Sequence, residues 1–189
     1  MKKFILSLLI LAGISSFSFA YPMIQLDIDG PSVLSEIHND CFNNIKPFSS
    51  STDLFPVSGI SLSISWDFDT SAPKDIHYLA GLQAGFKYAG VYYAGLGGFS
   101  YKLCDLEKLR LELVTTAAAG VHYMLFGSAG LYTQISADFI LSGPSRRGFY
   151  GGLGLVDYTI SNVQFFKDFG TQVDIINNFG IRAVIGIRF

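Results

Sequence analysis

Residues Thr171–Phe189, TQVDIINNFGIRAVIGIRF, decide the fold. The odd positions carry Val173, Ile175, Asn177, Phe179, Ile181, Ala183, Ile185, Ile187 and Phe189, whereas the even ones carry Asp174, Ile176, Asn178, Gly180, Arg182, Val184, Gly186 and Arg188. Side chains of a strand point alternately to its two sides, so one side is almost wholly apolar and the other collects Asp, Asn, Gly and Arg. A strand of this length, ending on an outward aromatic, suits the wall of a barrel that crosses a membrane.

Working outward, the same period recurs. Ser58–Asp67 sets Ile60, Leu62, Ile64 and Trp66 against Ser61, Ser63, Ser65 and Asp67, the cleanest strand pattern in the chain. Further strands are expected at Tyr21–Asp29, Ile76–Tyr88, Val91–Lys102, Leu109–His122, Ala129–Leu141 and Gly148–Ile160. The glycines at 95, 97 and 98 blur which side of the fourth strand faces out. Between the strands lie polar or glycine-containing reversals at 69–75, 89–90, 103–107, 124–127 and 142–147, and longer loops at 30–57 and 161–170. Loop 30–57 contains Pro31, Pro47 and Pro56, and a helical turn is expected near Ser32–His38. The sum is an all-β chain of eight strands joined as sequential hairpins, the plan of an antiparallel up-and-down transmembrane β-barrel.

Two other readings compete. A soluble barrel turns its apolar side chains inward and shows Lys and Glu to water, but here the polar side is built from Ser, Gly, Ala and Thr. A helical membrane protein is suggested by Leu113–Ala137, which holds no Asp, Glu, Lys or Arg. A hairpin through Met124–Gly127 accounts for the same run, and its flanks alternate at period two. Composition agrees with the spanning barrel. Only 15% of residues are charged, against about 25% in a soluble domain. The 17 Phe, 10 Tyr and 1 Trp include Trp66, Phe68, Tyr78, Tyr88, Tyr101, Tyr123, Phe149 and Phe189 near strand ends, where interfacial girdles form.

The first twenty residues read as a cleaved signal peptide: Lys2 and Lys3, an apolar run Phe4–Ile14, then Ser18-Phe19-Ala20 before Tyr21. The barrel domain is then 21–189, and loss of the two lysines takes the formal charge from −2 to −4. An acidic exported chain has no electrostatic basis for binding nucleic acid. Cys41 and Cys104 fall on opposite sides of the membrane in this topology, which argues against their pairing. No metal-ligand spacing is present and no cofactor is implied.

Signal peptide, eight alternating strands and terminal Phe189 resemble the small eight-stranded outer-membrane barrels of double-membraned bacteria. The likeness is architectural, and no subfamily motif stands out. It implies a place in the outer membrane with both chain ends periplasmic, so that 69–75, 103–107 and 142–147 are periplasmic turns and 30–57 and 161–170 face outside. It also implies that the assembly machinery reads the closing strand through Phe179, Ile187 and Phe189. The reversals at 89–90 and 124–127 are shorter than those families' loops, which weakens an adhesin reading.

Polar residues expected to point inward are Asp27, Asp67, Gln83, Lys87, Arg110, Glu112, Gln134, Asp138, Asp174, Asn178 and Arg182. A bore too narrow for bulk water needs its charges paired. The favoured reading is therefore a salt-bridged plug in a non-enzymatic envelope or surface-binding component. The alternative is a narrow channel or carrier for small or apolar solutes. A lipid-modifying enzyme is a third reading, drawn from His38, His77 and His122, but His77 and His122 belong near opposite ends and no nucleophile motif accompanies them. Loop 30–57, with Ile37, Phe42, Ile45, Phe48, Leu54 and Phe55, is a candidate surface for an external ligand, a cover for the mouth, or simply a packed loop.

Overall fold

Alternation becomes a closed wall in the computed structural model, which describes residues 20–38, 45–47, 59–69, 75–87, 90–124, 129–163 and 173–189. The strands are β1 Ala20–His38, β2 Ile45–Pro47, β3 Gly59–Asp69, β4 Ile76–Lys87, β5 Gly90–Leu106, β6 Leu109–Met124, β7 Ala129–Ser142, β8 Gly148–Val163 and β9 Val173–Arg188. From β3 onward each pairs antiparallel with the next; β1 pairs with β3 on one side and β9 on the other. These eight form the closed up-and-down barrel. The short β2 adds only to the far end of β1, through Glu36–His38. Closure leaves no open edge around the wall, so the backbone donors and acceptors of the strands are paired within it, the condition for crossing hydrocarbon without helices.

The register is staggered. Starting at Met23, the pairing runs through Ser65, Gly81, Leu96, Ala118, Gln134, Tyr158 and Asn178 and returns to β1 at Ser35, twelve residues beyond its start. The strands are therefore tilted, as barrel closure requires. Two register shifts on β1, between Asp29 and Ser32 and between Ser32 and Leu34, take up part of this offset at the β1–β9 seam.

The two faces have opposite polarity. Ile60, Leu62 and Ile64 are 46%, 50% and 46% exposed, while Ser61, Ser63 and Ser65 between them are 3%, 2% and 3%. Leu82, Ile135, Leu153 and Ile185 extend the bulky outer belt around the wall. Tyr78, Tyr101, Tyr123, Phe149 and Phe189 stand exposed near its rims. A surface of this kind suits hydrocarbon and not water. On β5 the sequence leaves the facing open; Tyr92, Ala94 and Ser100 are buried inside and Tyr93 and Phe99 point out.

The expected boundaries need correction in four places. Residues 30–38 are strand rather than loop, and the expected helical turn at Ser32–His38 is absent, because the backbone there pairs with β9 through Ile175. Residues 45–47 are also strand, so the long connection 30–57 is partly sheet. β8 continues to Val163 and β5 to Leu106, which leaves Glu107-Lys108 as a two-residue turn with Glu107 at φ 28°. Pro31 and the mixed residues after it break the apolar alternation, yet backbone pairing with a neighbour still carries the strand on. The signal peptide, Cys41, Phe42, Phe48, Leu54, Phe55 and Tyr88 lie outside the described residues, as do the side chains of Ile37, His38, Ile45 and Asp174. Cys104 is exposed on β5.

Candidate functional site: the packed lumen

Even-numbered residues of β5 to β9 and odd-numbered ones of β1, β3 and β4 share one interior, where they build layers of different chemistry. At the end where the β7–β8 turn and the C-terminus lie, Asp67 and Glu112 gather three arginines. Arg110 Nε is 2.6 Å from Glu112, and Arg146 Nε donates to the same carboxylate at 2.7 Å. Arg146 Nη2 lies 3.0 Å from Asp67 and donates to Ser100 at 2.9 Å. Arg188 is 3.3 Å from each carboxylate. His77 Nδ1 stands 3.5 Å from Asp67. Arg146 reaches this cluster from the turn, where it adopts φ 61°, the left-handed region that bulky residues seldom take.

An apolar layer follows, made by Met23, Leu79, Val114, Ile140, Tyr150 and Val184. Beyond it lies the central network. Arg182 forks onto Asp138, its Nε donating at 2.7 Å and its Nη2 binding the other oxygen, while Nη1 lies 3.8 Å from Asp27. Asp27 also accepts from Gln25 at 2.6 Å, Ser61 at 3.2 Å and Gln83 at 3.0 Å. Thr116 of β6 bonds Ser136 of the neighbouring β7 at 2.6 Å, and Tyr150 of β8 donates to Gln25 of β1, past the intervening β9, at 3.0 Å.

Toward the opposite mouth, Lys87 is fully buried, 2.6 Å from Asp29 and donating to the side-chain Oε1 of Gln134 at 2.6 Å. Its ammonium sits 4.5 Å from the Tyr158 ring centroid and 5.5 and 5.6 Å from those of Tyr92 and Tyr132. Tyr92 and Tyr132 stack at 4.0 Å. The ring faces attract the ammonium through their quadrupoles, and Asp29 supplies the opposite charge that it needs away from water. His122 is buried with Nε2 2.8 Å from the Lys87 carbonyl oxygen.

Glycines in the inner wall make this packing fit. A Cβ at Gly186 would strike the Tyr150 ring, and one at Gly154 would strike Asp138 and the backbone of Ala137. A small cavity of about 10 Å³ remains between the apolar layer and the central network, bordered by Asp27, Ser63, Gln83, Leu79, Val114 and Arg182.

Of the residues named from sequence, Lys87, Asp138 and Arg182 belong to the two inner layers, and Arg110 and Glu112 to the cluster at the C-terminal mouth. Asp27, Gln83, Gln134 and Asn178 are buried inward as well. The sequence-derived set omits Asp29, Arg146 and Arg188. Asp29 and Arg188 were legible as members of the polar side of their strands, whereas a turn arginine folding back into the bore leaves no periodic signal. His77 and His122 occupy different layers. Phe179 and Ile187 are partly covered on the outer wall, and Phe189 is exposed, its N–H donating to the Pro22 carbonyl at 3.0 Å. Among the described residues no group of His, Cys, Asp and Glu is arranged to hold a metal ion.

Neither a protein-family model nor a curated protein matches the sequence. Among solved structures, the chain is similar to the crystal structure of Neisserial surface protein A (NspA), with 11% sequence identity and a TM-score of 0.49, the match covering 90% of this chain and 97% of that one.

Proposed function

We propose that this chain is an integral outer-membrane barrel that serves as a non-enzymatic structural or surface-binding component of the envelope, its lumen closed to solutes by its own side chains. The observation that carries the reading is the continuous filling of the bore. Two charged layers are separated by Met23, Leu79, Val114, Ile140, Tyr150 and Val184. An ion passing this apolar layer would shed its hydration with nothing to replace it. The sequestered His122, held against the Lys87 carbonyl, favours a structural over a catalytic histidine.

Lipid is the partner of the outer belt. The exposed Phe189, with Phe179 and Ile187 on the same outward side of β9, is the signal that the barrel-assembly machinery would read. The far ends of β1, β8 and β9, with β2, extend the wall on the side opposite the C-terminus, and the surface they start is where an external ligand would bind. Planar-bilayer recording of purified, refolded protein tests the sealed lumen. The expected trace shows no stepwise current, and regular single-channel steps from the pure protein would replace this reading with that of a narrow channel.

A further inference from the structure

The central network contains an acceptor that no described residue satisfies. Gln83 is 3% exposed, and its side-chain nitrogen donates to Asp27 at 3.0 Å and to Ser61 at 3.1 Å. Its Oε1 has no hydrogen-bond partner among the described residues. The same side chain borders the cavity of about 10 Å³, on whose rim Asp27, Ser63 and Arg182 also stand. A buried amide oxygen left alone bears the full penalty of its desolvation, and a space of this size is about one water-sized sphere.

We propose that this cavity is a single-occupancy site for one water molecule, which donates to Gln83 Oε1 and accepts from the Arg182 guanidinium. The chemistry of the rim selects the occupant. A sodium or potassium ion would suit Gln83, Ser63 and the Asp27 carboxylate, and the inner layers hold three carboxylates (Asp27, Asp29, Asp138) against two cations (Lys87, Arg182). The Arg182 guanidinium on the rim opposes that choice, because a second positive charge beside it is repelled in a low-dielectric bore. An anion suits Arg182 but meets Asp27. Water alone both donates and accepts, so it fits the rim on either side. The inference rests on the sealed-lumen reading, for in an open bore this water would be one of a column.

The test is a crystal structure of the refolded protein at a resolution that shows ordered solvent, with a second crystal soaked in rubidium chloride and measured at the rubidium edge. The expected result is one peak at hydrogen-bond distance from Gln83 Oε1, roughly 2.6–3.2 Å, with no anomalous signal. An anomalous peak there would make the site a cation site, and a cavity without density would show the Gln83 oxygen to be unsatisfied; either overturns the proposal. In a Gln83→Met variant the peak is expected to vanish, and its persistence would count against Gln83 as the anchor. The two readings fail separately. Channel steps in the bilayer together with an isolated water peak would refute the sealed lumen and leave the site standing, whereas a silent bilayer with an empty cavity would do the reverse.

Discussion

Arg182 and Asp138 are both almost fully buried and meet over Gly154 of the strand between them in a forked pair. Removing one partner of such a pair strands the other charge, at a cost of about 3–5 kcal/mol, whereas replacing both with apolar groups is far less costly. Urea unfolding in micelles is therefore expected to show a large loss for Arg182→Met and a partial recovery when Asp138→Leu is added. A single variant as stable as the parent would refute the pairing. Gly186 acts through space alone. Alanine there presses on Tyr150 and is expected to cost about 1–3 kcal/mol, whereas Gly151→Ala, whose added carbon would meet nothing nearer than the Val184 carbonyl oxygen at 3.5 Å, serves as a near-neutral control in the same assay. The sequence showed Lys87, Asp138 and Arg182 to be inward because each sits in an alternating run. It did not show Arg146, since the reach of a long side chain from a turn depends on the shape of the mouth and not on period.

Strands were legible wherever one face is greasy and the other small and polar, as in β3 and β9. β1 was half legible. Its first ten residues alternate, but beyond Pro31 the strand is held by hydrogen bonds to β9, and backbone pairing has no side-chain signature. On β4, Leu82 is 67% exposed at mid-strand, so Leu82→Arg places a guanidinium in the hydrocarbon, at a cost of about 2–4 kcal/mol near the midplane. Refolding into vesicles of graded chain length is expected to show this loss in full in thick bilayers and reduced in thin ones. A loss independent of bilayer thickness would mean that Leu82 does not face lipid. For β9, Phe189→Ala is expected to refold in detergent like the parent yet accumulate less in outer membranes. Equal accumulation would remove Phe189 as an assembly signal.

Among the described side chains, the buried acids Asp27, Asp29, Asp67, Glu112 and Asp138 are matched in number by Lys87, Arg110, Arg146, Arg182 and Arg188, although the set on each side of the apolar layer is unbalanced by one charge. The apolar layer thus separates two charge sets of opposite excess, an arrangement that favours the filled bore as a unit. Closed walls of this kind resist detergent. Unboiled protein is expected to run apart from boiled protein on a detergent gel, and an identical position for the two would argue against a closed barrel in solution.

The seam has a temporal meaning. Met23 pairs with Arg188, so the first and last strands must meet, and no shorter portion of the chain can complete the circle. Until β9 is made, β1 and β8 each present a bare edge able to template pairing with another molecule. A nascent chain halted before Val173 is for that reason a polymerisation hazard, and escorting it until release is a requirement that the topology itself imposes on the cell.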